Sequence, residues 1–344
     1  MKKGFKVIFV AKDKGGFDAI EPVVRKISKK DNFRITLILG RPSYEFARRS
    51  KIKSLLGDNL VISKINKIIQ SINPNLIFAG TSNGLSIDKK LIGVAKSKKI
   101  PTACIVDYWG NYKGRFGKKM EYLPDYILAL DESMKQDMVR HGISKNKIFI
   151  TGNPRFDKLS KIKNVKKDNN IAVFYSQPFT ERHNKNFNEI TIFEDLVKIL
   201  EKNKFMGILL VKFHPSEKKI NKFDKIIKAS SLKIKIAKKI EPDSLDKKAG
   251  LILGINSMAL FDAALLRKKV VSYQPGLNKK DDLLLSNRLG WSISIYNKKK
   301  LFSVFRKVFV KPIINYNNIN KYIKNNSTDR VIKFINNFLI KKHG

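Results

Sequence analysis

A chain of 344 residues that is 42% hydrophobic can bury a large core, and its length predicts two domains. No run of about 18 apolar residues occurs, which excludes a membrane-crossing helix of the usual length. The single cysteine, Cys104, excludes a disulfide framework and a cysteine metal site and predicts a cytoplasmic protein. Lys and Arg number 71 against 29 Asp and Glu, a net charge of +42. Codon bias can exchange Arg for Lys but does not by itself remove acidic residues. The excess therefore predicts a polyanionic partner, an anionic membrane surface or an acidic polymer. Nucleic acid is not indicated: there is no zinc-ligand spacing, no aromatic RNA-binding strand and no dense arginine cluster.

The basic start at Met1 is followed by an apolar stretch too short for a signal peptide, and 6–11 reads as the first strand. A glycine-containing turn at 12–16 and a helix over 17–27 complete the opening unit of a doubly wound fold. Gly15 and Gly16 lie in that turn, but the dinucleotide fingerprint is missing, so no nicotinamide cofactor is inferred. Further strands are predicted at 33–39, 75–79, 102–106, 126–130 and 147–151, with a helix over 87–96. Residues 158–170, charged and weakly apolar, read as a linker. The second half shows strands at 171–175, 207–213, 233–237, 251–254, 270–274 and 292–296. Its helices are expected at 190–201, 221–229, 258–266, 299–310 and 328–341. Regular alternation predicts an α/β fold of two Rossmann-like, doubly wound parallel-sheet domains facing a central cleft. We place them at 1–165 and 166–325, with a C-terminal helix at 326–344 available to pack back on the first domain.

In such folds ligands bind beyond the C-terminal ends of strands, and the polar clusters fall there. Asn256 and Ser257 follow a buried strand and stand where a helix N-cap belongs, with Met258 opening the helix. A helix start attracts phosphate, and Asp262, further along, could reach a sugar hydroxyl. His214 directly follows another apolar strand and precedes a proline, which keeps its backbone extended. Lys212, two residues earlier, could point the same way, so the two would clamp a diphosphate. Set against this, a histidine at a strand end can be purely structural.

His141 reads as a helix end before a glycine, His183 as part of a solvated loop with Glu181 and Arg182, and His343 as uninformative. Asp107 ends a strand beside Tyr108 and Trp109. It is either a general base or the holder of an Asx-type turn. Asp281 and Asp282, in a lysine-rich stretch without ligand spacing, read as a solvated loop, so no metal site is expected.

Lys212-Phe-His-Pro215, followed by Leu251-Ile-Leu-Gly-Ile-Asn-Ser-Met-Ala-Leu-Phe-Asp262, resembles glycosyltransferases of the GT-B fold. The nearest resemblance is to CDP-glycerol glycerophosphotransferase and the related surface-polysaccharide branch. Gly152-Asn-Pro-Arg155 and Gly80-Thr-Ser82 are similar to stretches of UDP-N-acetylglucosamine 2-epimerase-like proteins of the same fold. The resemblance implies a GT-B-like architecture in which His214 and Ser257 contact the donor phosphates and Asp262 lies near ribose or glycerol hydroxyls. It implies no cofactor but a nucleotide-sugar or nucleotide-polyol donor as substrate, with a lipid-linked or oligosaccharide acceptor. The basic surface would hold such an enzyme peripherally on the inner face of the cytoplasmic membrane, near a lipid-linked acceptor, which would make it part of capsule, lipopolysaccharide or teichoic-acid-like synthesis.

Two departures stand out. Ile255-Asn-Ser-Met258 replaces an Asp-Tyr-Ser-Ser pattern, and the epimerase set of first-half carboxylates is not evident beyond Asp107. The leading expectation is a metal-independent glycosyltransferase with Asp107 as base. His214, Lys212 and the Ser257 turn would stabilise the leaving phosphate, while Gly15, Gly16, Ser82, Asn83 and Trp109 would face the acceptor. The alternatives are a nucleotide-sugar 2-epimerase or hydrolase on the same fold, needing no acceptor, and a non-catalytic polyanion-binding protein.

Overall fold

The computed structural model describes residues 4–159, 168–310 apart from 185, 239 and 241, and 314, 316, 319–323 and 326–343. The chain divides into two units: residues 1–161 with 320–344, and residues 162–319. Most of the expected linker, and the boundary expected at 165, lie outside the described residues.

In the first unit seven strands are described: β1 (Phe5–Ala11), β2 (Phe33–Leu39), β3 (Leu55–Leu56), β4 (Leu76–Gly80), β5 (Thr102–Ile105), β6 (Tyr126–Ala129) and β7 (Ile148–Ile150). They pair in parallel in the order β3-β2-β1-β4-β5-β6-β7. Continuous apolar runs are what a sheet covered on both faces requires, and Val7 to Ala11 and all of β4 are fully buried. The helix Lys14–Ile27 lays Phe17, Ile20, Val23, Val24 and Ile27 on this sheet at helical spacing.

The helix Ser327–His343 joins the same core through Val331, Ile332, Ile335 and Leu339. Each such side chain contributes roughly 1.5–3 kcal/mol when buried. The chain therefore returns to its first unit at its end.

The second unit holds β8 (Asp168–Tyr175), β9 (Ile208–Lys212), β10 (Lys233–Ile236), β11 (Ala249–Gly254), β12 (Lys269–Tyr273) and β13 (Ile293–Ile295). Their order is β10-β9-β8-β11-β12-β13, again parallel. In each unit the chain winds outward from its first strand in one direction, then restarts on the other side. The switch points fall between β1 and β4 and between β8 and β11, and the crevices open there at the strands' C-terminal ends.

Two local expectations change. Lys14, Gly15 and Gly16 are not a turn but the first turn of the helix, which begins after Asp13 in extended conformation (φ −75°, ψ 146°). The helices Ser43–Arg49 and Ile62–Ile72 and the two-residue β3 were not anticipated. Ile62–Ile72 buries only Ile65 and Ile69, so its apolar stripe is narrow.

Candidate functional site

The second unit's crevice is built around the end of β8, which lies between β9 and β11. At a strand spacing of about 4.8 Å, the ends of β9 and β11 stand roughly 10 Å apart. Gln177, just past β8, and Asn256, just past β11, clasp across the switch point. Gln177 Nε2 donates to Asn256 Oδ1 at 3.0 Å, and Asn256 N donates to Gln177 Oε1 at 3.1 Å.

Ser257 then caps the helix Met258–Leu265. Its backbone is extended (φ −68°, ψ 145°), and its hydroxyl accepts the Ala259 N–H at 3.3 Å. Leu260 N donates to the Ser257 carbonyl at 3.0 Å, and the positive end of the helix dipole there favours an anion.

His214 stands past the end of β9. Its backbone N–H donates to Glu217 Oε2, and Ser216 N donates to its Nδ1 at 3.1 Å. Nδ1 is thus an acceptor, and the neutral ring carries its proton on Nε2. Arg182 Nη2 donates to Ser216 Oγ at 2.7 Å, and that hydroxyl lies 2.8 Å from Nδ1, so a relay fixes the imidazole plane. Burial, then the nearby charges of Arg182 and Lys222, push its pKa down to about 4. At neutral pH His214 is a fixed, uncharged donor.

The loop that presents it is anchored by a buried ion cluster. Lys222, its side chain 3% exposed, pairs with Glu189 at 2.6 Å and with Glu217, both carboxylates fully buried. Glu217 also accepts Ser176 Oγ at 2.6 Å, and Glu189 accepts the N–H and hydroxyl of Thr180 at 2.8 and 2.6 Å. Burial raises the Glu189 pKa, but the bonds from Lys222 and Thr180 outweigh it and bring it below the ordinary range. The cluster ties the segments after β8 and β9 together. Sequence reading missed it because Lys222 sits in a run of lysines that resembles a solvated face.

Other expected residues fall elsewhere. Lys212 Nζ donates to Ala237 O at 3.4 Å beyond the end of β10, and Arg182 and Lys222 are cations whose charge acts on the His214 ring. Met258 is the partly exposed first residue of the capped helix. Asp262 is 1% exposed, because that helix is covered on nearly all sides, and its carboxyl lies inside the fold rather than on the rim. Asp282 is no solvated residue. It is 2% exposed and accepts from Gln274, Asn287 and Tyr296 at 2.9, 2.6 and 2.7 Å. His183 lies in an exposed loop, and His141 ends the helix Glu132–Arg140 with Nδ1 2.8 Å from Asp137 O.

The first unit's switch point carries a different chemistry. Asp13 N donates to Ser82 Oγ at 3.2 Å, and Asn83 N donates to Asp13 Oδ2 at 3.1 Å. Ser82 N donates to Asp88 Oδ2 at 3.2 Å. Burial raises the pKa of both Asp13 and Asp88, with Asp107 adding to the effect on Asp13. Burial lowers the pKa of Lys89, whose Nζ donates to the carbonyls of Gly84 and Gly114.

Asp107, 14% exposed, is held by Arg115, 6% exposed: Nη1 donates to Asp107 Oδ1 and to Thr81 Oγ1, each at 2.6 Å. That pair replaces the Asx turn considered from sequence. Trp109 is 2% exposed and donates to Asp131 at 3.1 Å, so it turns inward rather than toward an acceptor. The glycines serve packing as well. A Cβ on Gly15 would lie 2.0 Å from Asp107 Oδ2, and one on Gly16 would lie 3.0 Å from backbone atoms of Gly80 and Thr81. Among the described residues no group of three or more His, Cys, Asp or Glu is arranged to hold a metal ion. No described helix is long and apolar enough to cross a membrane.

Comparison with known proteins bears on this geometry. No family model matches the chain. A UDP-N-acetylglucosamine 2-epimerase of Methanocaldococcus jannaschii is 27% identical over 205 residues, 53% of each chain, so the match spans about half the length of that relative. Among solved structures, UDP-GlcNAc 2-epimerase from Neisseria meningitidis bound to UDP-GlcNAc superimposes with a TM-score of 0.71 at 14% identity, covering 96% of this chain and 99% of that one. The glycotransferase of kitacinnamycin gives 0.62 at 10% identity, covering 98% and 99%. The architecture is thus the GT-B-like one shared by these epimerase and glycosyltransferase structures: two parallel-sheet, Rossmann-like α/β units.

Proposed function

We propose that the protein is an enzyme acting on a nucleotide-sugar in the manner of a UDP-N-acetylglucosamine 2-epimerase or hydrolase. The observation that carries this is the neutral His214 beside Arg182 and Lys222, set one strand away from β8 opposite the helix start at Ser257. A diphosphate bridging such a crevice would receive the N–H groups of the helix start on one side and the His214 Nε2–H on the other. Donors fixed in advance stabilise the charge that grows on a departing nucleoside diphosphate, so the C1–O bond to the sugar weakens without a bound cation. The 27% identical epimerase and the UDP-GlcNAc-bound neighbour support this class of ligand.

The glycosyltransferase expected from sequence becomes the second reading, favoured by the likeness to the kitacinnamycin glycotransferase. It adds an acceptor, and the +42 charge suits attachment to the anionic cytoplasmic leaflet where a lipid-linked acceptor would lie. The comparisons lend no support to the narrower glycerophosphotransferase resemblance.

The test is to incubate the protein with UDP-GlcNAc alone and follow the sugar by proton NMR. The epimerase or hydrolase reading expects a C2-altered hexose, nucleotide-bound or free, with no acceptor added and with activity lost in His214→Ala. An inert donor that turns over only when an acceptor is supplied would overturn it in favour of the transferase.

A further inference from the structure

On its β3 side the first unit carries a surface that its crevice does not use. β3 is the outermost strand of the sheet, only two residues long, and its Leu55 is exposed. The turn that follows brings Val61 and Ile62, both exposed, to the start of the helix Ile62–Ile72. That turn rests on the helix Ile87–Ser97: Lys90 Nζ donates to Leu60 O at 3.2 Å, and a Cβ on Gly57 would lie 2.8 Å from the Ile87 side chain. Leu85, 67% exposed, stands two residues before Ile87. Four large apolar side chains thus stand open around one turn, where exposed apolar residues are ordinarily scattered singly.

The charge beside them is one-sided. Residues 41–67 hold seven Arg and Lys against two acids, Glu45 and Asp58. Both acids are already engaged: Arg41 pairs with each at 3.2 Å, and Arg48 pairs with Glu45 at 3.0 Å. Among the described residues Arg49, Lys51, Lys53, Lys64 and Lys67 form no ion pair. Next to Leu55 the chain folds around an open cavity of about 340 Å³, lined by Tyr44, Arg48, Lys51, Ile52, Lys53 and Ser54. Its volume is that of a small-molecule site, and three of its six lining residues are cations suited to a phosphate.

The combination selects the occupant. A soluble polyanion would engage the cations but gain nothing from the exposed Leu55, Val61, Ile62 and Leu85. A second copy of the chain would cover those side chains but set two basic faces against each other. An anionic bilayer satisfies both, since lipid phosphates meet the cations while apolar side chains enter beneath the headgroups.

We propose that the β3 edge of the first unit is the surface by which the protein docks on an anionic phospholipid bilayer, with a lipid phosphate held in the cavity between Arg48, Lys51 and Lys53. This docking is independent of the sugar chemistry and serves an epimerase, a hydrolase or a transferase alike.

The test mixes the full chain with vesicles of phosphatidylcholine, alone or with about 30% phosphatidylglycerol, at fixed moderate ionic strength, and reads binding by co-sedimentation. The wild type binds the anionic vesicles and not the neutral ones. Each lysine near such a surface is worth about fivefold in affinity, so Lys51→Gln with Lys53→Gln weakens binding roughly 25-fold. Lys233→Gln with Lys235→Gln, which removes the same charge from the exposed face of β10, is the control and changes binding by less than about threefold. Val61→Ser with Ile62→Ser keeps the charge and weakens binding at least about tenfold. All six are surface positions, and an unaltered melting curve verifies that each variant folds. A wild type that ignores anionic vesicles would overturn the proposal, as would equal losses in the control, which would reduce the effect to net charge. So would binding indifferent to the Val61 and Ile62 changes, the mark of a soluble-polyanion site. A wild-type dimer split by those two changes would make the edge an interface between copies and overturn it too. No nucleotide-sugar enters the experiment, so its outcome and that of the epimerase test are separate.

Discussion

Replacing Lys222 by Met probes the cluster beneath His214. The substitution keeps the stem's volume and removes the one cation that serves Glu189 and Glu217, both fully buried. Breaking a buried pair by deleting one partner costs about 3–5 kcal/mol, and here two carboxylates are left behind. For a unit of this size each kcal/mol lowers the melting temperature by roughly 2–4 °C, so a drop of about 10 °C is expected at neutral pH.

The pH dependence fixes the cause. In the wild type Glu189 titrates below its ordinary value of 4.5, so its contribution is present above that value and is lost as pH falls through the lowered pKa. Without Lys222, burial goes unopposed by its strongest partner and the pKa rises above 4.5. The variant then loses stability as pH rises, and the gap to wild type narrows toward pH 4.5. Calorimetry across that range is the assay, with Lys198→Met, which breaks an exposed pair with Glu194, as the control expected to melt like wild type. A loss below about 1 kcal/mol, or one that does not change with pH, would refute the argument that this cluster is a buried ionic anchor.

Two further predictions concern single positions. His214, followed by NMR, should titrate with a midpoint near pH 4 in the folded protein. Its stability contribution is then full above 6.5 and lost as pH falls toward 4, and a midpoint near 6.5 would remove the basis for calling the ring a neutral donor. Among the glycines, Gly93→Ala should stabilise by about 0.5–1 kcal/mol, since it lies inside the helix Ile87–Ser97 and its Cβ would meet only Tyr122 at 3.7 Å. Gly80→Ala should do the opposite, because its Cβ would lie 2.3 Å from the Gly16 carbonyl oxygen. Denaturant melts in which both behave alike would contradict the close helix-to-strand approach.

The sheets were legible because β4 and β11 are unbroken apolar runs and β1 and β8 carry such runs at 7–11 and 171–175, as strands buried on both faces require. The helix Ile62–Ile72 escaped notice because it buries only two isoleucines and leaves Ile62 exposed. Ser257 and His214 were singled out from position alone, and each does stand just past a strand end, β11 and β9. Their supports were not. The contacts of Arg182 with Ser216 and of Lys222 with Glu189 join segments brought close by the pairing of β8 with β9, and spacing along the chain carries no trace of that. At Gly15 and Gly16 the expected turn is a helix start. A glycine pair after a strand suggests a ligand turn, but here the missing side chains make room for a carboxylate and a neighbouring backbone.

The return of the last helix to the first unit bears on how the protein is made. Val331, Ile332, Ile335 and Leu339 fill a core begun by Val7 and Phe9, so the first unit's core stays incomplete until the chain has been synthesised past Leu339. The second unit, residues 162–319, has every strand of its sheet before that point. On the ribosome the later-encoded unit can therefore finish folding first, while the earlier one waits with an apolar face uncovered. For this topology, vectorial synthesis and order of completion run in opposite directions.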